Sequence, residues 1–157
     1  MKNITRACVC ILIAALLLAP ASVQAQKWEK YFDKYQDAYY KGEYKKAKKQ
    51  IDKLKAKSIK KLGGNNKYFA YASILDARLS LAMGTLYGFD NQISEGLAVS
   101  EVANGKDSPD HGLNQLEAAE IKMDYGNFMQ ADLMLDNAGQ ILESNQLLEG
   151  DLKARFY

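Results

Sequence analysis

Side chains that commonly carry out chemistry are sparse in this sequence. His111 is the single histidine, and Asp107 and Asp110 are the acidic residues nearest to it along the chain. A metal site or a catalytic base needs several polar groups that converge on one point, and this stretch offers too few for zinc, for calcium or for a nucleophile triad. We therefore expect His111 to be a solvent-exposed residue in a first helical turn, and we expect no enzyme activity, no metal and no cofactor.

Lysines dominate the first part of the chain and acids dominate the rest. Residues 26–62 hold 13 lysines and 5 acids, whereas residues 63–157 hold 6 basic residues and 14 acids. Lys45, Lys49 and Lys53 recur at every fourth position, as on one face of a helix. We expect Lys48 and Lys55 on the same outer face, so Lys48→Leu should not lower the melting temperature. One interpretation is a solvated face. The other is attraction to an anionic partner, such as an envelope surface, an acidic protein or the acidic half of another copy.

An aromatic stripe precedes the lysines. Its members are Trp28, Phe32, Tyr35 and Tyr39. Their spacing of three or four residues is typical of the core face of a helix, although a platform that stacks on sugars or peptides is the alternative. Tyr31 and Tyr40 lie beside this stripe and are the better candidates for a partner surface.

The N-terminal 25 residues have the features of a secretory signal peptide. Lys2 and Arg6 precede an apolar run over residues 7–19, and small residues allow cleavage after Ala25. An uncleaved membrane anchor would need about 20 apolar residues, and this run has about 13. Both cysteines belong to this segment and leave with it. We expect a protein of the periplasm, cell envelope or exterior that is not transmembrane after cleavage and does not bind nucleic acid.

A repeat with a period of about 42 residues runs through the mature part, 26–157. Gly42, Gly84 and Gly126 mark it, and the apolar positions that follow each glycine coincide. These positions are Tyr44, Ala47, Ile51 and Leu54, then Leu86, Phe89, Ile93 and Gly96, then Phe128, Ala131, Leu135 and Ala138. Spacings of three and four predict helices, and glycine suits the turn that joins two of them.

The predicted fold is therefore all-α, with about three tandem helical hairpins and a partial fourth. The hairpins cover about 27–62, 67–103 and 109–143, with helices at about 27–41, 43–62, 67–83, 89–103, 109–125 and 127–143. Gly84 and Gly88 compete for the middle turn. Stacked hairpins of this kind bury a stripe that one hairpin alone leaves exposed.

The two clearest turns have a family resemblance. Gly42-Glu43-Tyr44-Lys45-Lys46-Ala47 and Gly126-Asn127-Phe128-Met129-Gln130-Ala131 resemble the G-[D/N]-[Y/F]-x-x-A turn of tetratricopeptide repeats. The usual repeat of that family has about 34 residues, so a HEAT-like array with a period of about 40–47 stays an alternative. The resemblance implies an α-solenoid with a concave surface for a protein or peptide partner. The turn and packing positions of that solenoid are Gly42, Tyr44, Ala47, Gly84, Phe89, Gly126, Phe128 and Ala131.

Two functions follow as expectations. The first is an exported scaffold or adaptor that binds a protein through the repeat surface. The second is the extracytoplasmic binding or sensing portion of a larger protein, because Ala154 lies one full period after Gly112 and residues 147–157 resemble the start of a fourth hairpin. We expect that segment to fray or to dock through Leu148, Leu152 and Phe156. Either outcome leaves an apolar edge, which favours self-association.

Overall fold

The computed structural model describes residues 28–156, apart from the side chain of Lys153, and within them the all-α prediction is confirmed. Seven helices and no strand occur in this part of the chain. They are α1 (28–40), α2 (Tyr44–Leu62), α3 (Lys67–Ala82), α4 (Phe89–Asn104), α5 (Pro109–Asp124), α6 (Phe128–Ser144) and α7 (Gly150–Ala154). The predicted signal peptide lies outside the described residues. None of the helices described is long and apolar enough to cross a membrane.

Local signals explain where the middle helices begin. The side chain of Asn66 accepts a hydrogen bond from the backbone N–H of Phe69, which caps α3. Ser108 caps α5 by accepting from the N–H of His111, and Pro109 occupies the first helical position. Both caps satisfy backbone donors that have no partner within the helix, so the breaks between the hairpins follow directly from the sequence.

The three period-marking glycines adopt the same turn geometry. Gly42, Gly84 and Gly126 have φ angles of 72°, 69° and 86°. The residue after each glycine donates its N–H to the carbonyl oxygen of the residue five positions earlier. These bonds run from Glu43 to Ala38, from Thr85 to Ser80 and from Asn127 to Lys122, at 2.8–2.9 Å. This is the Schellman arrangement, which needs a left-handed residue at the helix end. The middle turn is longer than the other two, because Gly88 is also left-handed and α4 begins only at Phe89.

The helices pack in consecutive pairs. α3 contacts α2 and α4, α5 contacts α6, and α3 also contacts α5. Ala47, Ile93 and Ala131 are fully or almost fully buried, as the repeat positions require. Leu86 and Phe128, which the periodicity placed in the core, are instead 44% and 65% exposed. Leu86 precedes the first turn of α4, and Phe128 is the first residue of α6.

The C-terminal segment is shorter as a helix than expected. The pattern indicated a helix over residues 147–157, whereas α7 has only five residues. A Cβ atom placed on Gly139 of α6 would lie 3.5 Å from the ring of Phe156, which places this ring beside α6. Of the three side chains through which docking was expected, Phe156 is the one with a neighbour shown on α6.

Candidate functional site

A groove runs along the side of the molecule formed by α1, α3 and α5. It consists of two adjoining cavities of about 380 Å³ and 390 Å³. Tyr71, Glu117 and Arg155 belong to the linings of both cavities. These three residues therefore lie where the two cavities meet.

Aromatic side chains from α1 and α3 form one wall of the groove. The rings of Phe32 and Tyr71 lie 5.1 Å apart, and those of Tyr35 and Tyr39 lie 5.7 Å apart. The Tyr35 hydroxyl donates to the backbone oxygen of Leu75 at 3.2 Å, which fixes α1 against α3. The wall is thus both part of the core and accessible from the groove. From the sequence, a core face and a stacking platform were alternatives.

Four charged side chains form the floor of the groove. Nε of Arg78 lies 2.7 Å from Oε1 of Glu117, and Nη2 of Arg78 donates to Oε2 of Glu120 at 2.8 Å. Arg155 reaches the same acids from the C-terminal segment: its Nε donates to Oε1 of Glu120 at 2.7 Å. Each guanidinium has several donors in a fixed plane, so it can hold two carboxylates at once.

Burial changes the proton affinity of several groups in the groove. Burial raises the pKa of Glu117, and Arg78 opposes this effect. Burial also raises the pKa of Tyr71 to about 12 and raises the pKa of Tyr35. For Arg78, burial lowers the pKa, but Glu117 and Glu120 together raise it by more. At neutral pH the groove therefore presents un-ionised phenols beside a permanently charged guanidinium.

The lysines of α2 are only partly free of contacts with other helices. Lys45, Lys49 and Lys53 are exposed, as expected. The expectation that Lys48 and Lys55 lie on the same outer face is wrong, because both reach Asp76 on α3 at 3.2 Å and 3.6 Å. Two positions on the flank of α2 therefore serve the packing of α2 on α3.

The two tyrosines expected at the surface differ from one another. Tyr40 is 82% exposed and lines the groove near Gln36. Tyr31 accepts a hydrogen bond from Lys57, whose Nζ also lies 4.9 Å from the centre of its ring. This hydrogen bond lowers the pKa of Tyr31. Tyr40 belongs to the groove, whereas Tyr31 faces the lysines of α2.

The expectation that His111 is exposed is wrong. Only 3% of the residue is exposed, and Nδ1 lies 3.1 Å from the hydroxyl of Ser100. Asn114 and Asn104 both donate to that hydroxyl oxygen, at 2.8 Å and 3.2 Å. Burial lowers the pKa of His111. The network fastens α5 to α4, and Ser100 has no exposed surface.

The charged floor is the part of the site that sequence reasoning missed. Arg78 and Glu120 are separated by the predicted repeat period, as are Gln36 and Arg78. Reading polar positions with the same period as the apolar ones would have found this pair. Arg155 gives no such signal, because Glu117 and Glu120 come near it only through the path of the C-terminal segment.

Within residues 28–156, no group of three metal-ligating side chains is close enough together to hold an ion. The fold is that of an all-α protein whose helices pack in consecutive pairs, with a groove along one side. No family model, curated protein or solved structure matches the chain.

Proposed function

We propose that this chain is an exported scaffold or adaptor with a tetratricopeptide-like arrangement of repeats, and that it binds a segment of a partner protein in the groove between α1, α3 and α5. The observation that carries the proposal is the groove itself. Two adjoining cavities share an aromatic wall and a charged floor, which is the combination of apolar surface and few placed polar groups common in binding sites.

The turns support the repeat assignment. The three glycine turns share their φ angles and their backbone hydrogen bonds, and they recur once in every repeat period. Equivalent turns support the assignment of α1, α3 and α5 as the first helices of successive hairpins, and the groove lies along these three. In stacked repeats, a surface formed by equivalent helices is continuous from one repeat to the next, so it suits an extended ligand.

The role of the chain is to bind rather than to catalyse. The groove offers phenols whose pKa values are raised and guanidinium groups that are already paired with carboxylates. Such groups donate and accept hydrogen bonds to a peptide and stack on its side chains. The same groove would serve the extracytoplasmic binding portion of a larger protein equally well.

The proposal is tested by selecting ligands and blocking the groove. Random peptides displayed on phage are selected on the purified chain, and the affinity of the best peptide is measured by fluorescence anisotropy. Gln36 lines the groove and is exposed, so Gln36→Trp should fill it and weaken binding about tenfold or more.

The matched control is Gln140→Trp, which adds the same side chain at an exposed position on α6. It should leave the affinity unchanged. Selected peptides that bind both variants as well as the unmodified chain would show that the groove is not the binding site, and the proposal would then be rejected.

A second candidate function rests on α2. Lys45, Lys49 and Lys53 are exposed at four-residue intervals and have no acidic partner among the residues described. An anionic partner would be attracted to them, with a range of about 10 Å at 0.1 M salt.

Poly-glutamate serves as the probe. Its binding should fall between 50 and 300 mM salt and be lost when all three lysines become Glu, while Lys106→Glu in the α4–α5 linker should have little effect. Binding that survives the triple reversal would leave this face merely solvated.

A further inference from the structure

The side chain of Arg155 divides the groove. It lines both cavities, and it reaches the floor from the segment that follows α6. The cavity on one side extends toward Lys67 and Asp110, and the other extends toward Tyr39 and Tyr40. A longer continuous groove would result if this one side chain moved away.

The floor without Arg155 has an excess of negative charge. Arg78 alone would then face two carboxylates, Glu117 and Glu120, whose side chains are 15% and 23% exposed. Oε1 of Glu120 accepts from Nε of Arg155 at 2.7 Å and lies 2.6 Å from its Nη2. Leaving a partly buried carboxylate without these donors is unfavourable. The site therefore has a place for a second guanidinium.

The segment that supplies Arg155 is held by few contacts. α7 has five residues, which is far below the length at which a helix is stable by itself. The side chain of Arg155 is itself 39% exposed. Phe156 rests on α6 next to Gly139. Segments with little buried surface open locally at low free-energy cost, so Arg155 can leave while the hairpins stay folded.

We propose that the groove accepts a partner segment carrying an arginine, whose guanidinium takes the place of Arg155 on Glu117 and Glu120. The segment 150–156 is then an internal competitor for that partner. This inference rests on the proposed function, because it names the chemistry of the ligand for the same groove. A planar guanidinium fits two carboxylates better than the ammonium of lysine, which acts as a point charge.

The segment 150–156 lowers the apparent affinity of the groove for the partner, because only molecules in which Arg155 has left the floor can bind it. Removing the Arg155 guanidinium from the full chain should therefore expose the site without unfolding the protein. The probe is a fluorescein-labelled five-residue peptide with the sequence of residues 152–156. The control peptide carries glutamine in place of arginine. Binding is measured by anisotropy at low salt.

The arginine peptide should bind Arg155→Gln at least about tenfold more tightly than it binds the unmodified chain. Lys106→Gln removes the same charge from the exposed α4–α5 linker and should behave like the unmodified chain. The glutamine peptide should not bind Arg155→Gln, and the double variant with Glu120→Gln should lose the arginine peptide. Thermal melting checks that each variant is folded.

Equal binding of the arginine peptide to the unmodified chain and to Arg155→Gln would show that the segment 150–156 does not compete for the groove. Equal binding of the two peptides to Arg155→Gln would overturn the requirement for arginine. In either case, phage-selected peptides that are still blocked by Gln36→Trp would leave the proposed function standing, so the two failures are distinguishable.

Discussion

Nζ of Lys48 on α2 lies 3.2 Å from Oδ1 of Asp76 on α3, and this carboxylate has only 4% of its side chain exposed. Lys55 approaches the other oxygen at 3.6 Å, and Gln92 of α4 lies 3.5 Å from it. An acidic residue buried between three helices is tolerable only when such partners surround it. The lysine-rich helix is thus attached to the rest of the fold partly through charge.

We expect Asp76→Ala to destabilise the protein. It leaves Lys48 and Lys55 without their common acceptor, and breaking a buried ion pair costs about 3–5 kcal/mol. Because both lysines are partly exposed and keep other acids nearby, we expect about 2–3 kcal/mol. Urea unfolding measures the difference. Asp52→Ala, which removes an exposed partner of the same Lys48, should cost less than about 1 kcal/mol. Equal losses in the two variants would contradict this assignment.

Ala131 provides a test of the repeat register. It has no exposed surface, so Ala131→Leu should overpack the contact of α6 with α5 and cost about 1–3 kcal/mol. Lys49→Leu, on the exposed face of α2, should leave the melting temperature nearly unchanged. Lys48→Leu, which the sequence alone predicted to be neutral, should instead destabilise the protein because it removes a partner of Asp76. Calorimetry measures the melting temperatures of the three variants, and equal values would show that the register is incorrect.

Two helical glycines should respond oppositely to alanine. A Cβ atom on Gly96 would lie 2.6 Å from Cγ1 of Ile74 and 2.9 Å from the backbone oxygen of Ala70. Gly96→Ala should therefore destabilise by about 1–3 kcal/mol. A Cβ atom on Gly139 meets only the ring of Phe156 at 3.5 Å, so Gly139→Ala should stabilise by about 0.5–1 kcal/mol. Chemical denaturation compares them, and a Gly96→Ala variant as stable as the unmodified chain would mean that α4 does not approach α3 this closely.

Acid should weaken the protein through His111. Burial lowers its pKa from 6.5, with smaller opposing effects from Glu101 and Asp107. The unfolded chain therefore binds the proton more readily, so the stabilisation is complete above pH 6.5 and declines as pH falls toward the folded pKa. The single histidine gives one imidazole Hε1 resonance in NMR, which should titrate below pH 6.5.

A matched variant separates this effect from that of other groups. The raised pKa of Glu117 changes stability in the opposite direction, because its folded form keeps the proton as pH rises. His111→Gln removes only the histidine contribution, so its unfolding free energy should fall less between pH 7.5 and pH 5.5 than that of the unmodified chain. An equal fall would show that His111 does not contribute.

Local signals in the sequence are enough to predict the helices and the turns between them. Three glycines at a fixed interval and apolar residues at helical spacing express preferences of the backbone that act within one turn of helix. The same reasoning placed Ala47, Ile93 and Ala131 in the core, where the structure has them. It failed at Phe128, because periodicity describes a face of a helix and not whether a neighbour covers its first residue.

Which polar groups meet depends on how distant helices pack. Arg78 belongs to α3 and Arg155 follows α7, yet both contact Glu120. His111 looked exposed because a polar residue in a first helical turn usually is, and its burial depends on Ser100 of another helix. The energy of a charge or a hydrogen bond depends on the partners and the solvent around it, and these are set by tertiary packing. The groove and its charged floor are therefore properties of the fold, even though the hairpins that build them can be read from the sequence.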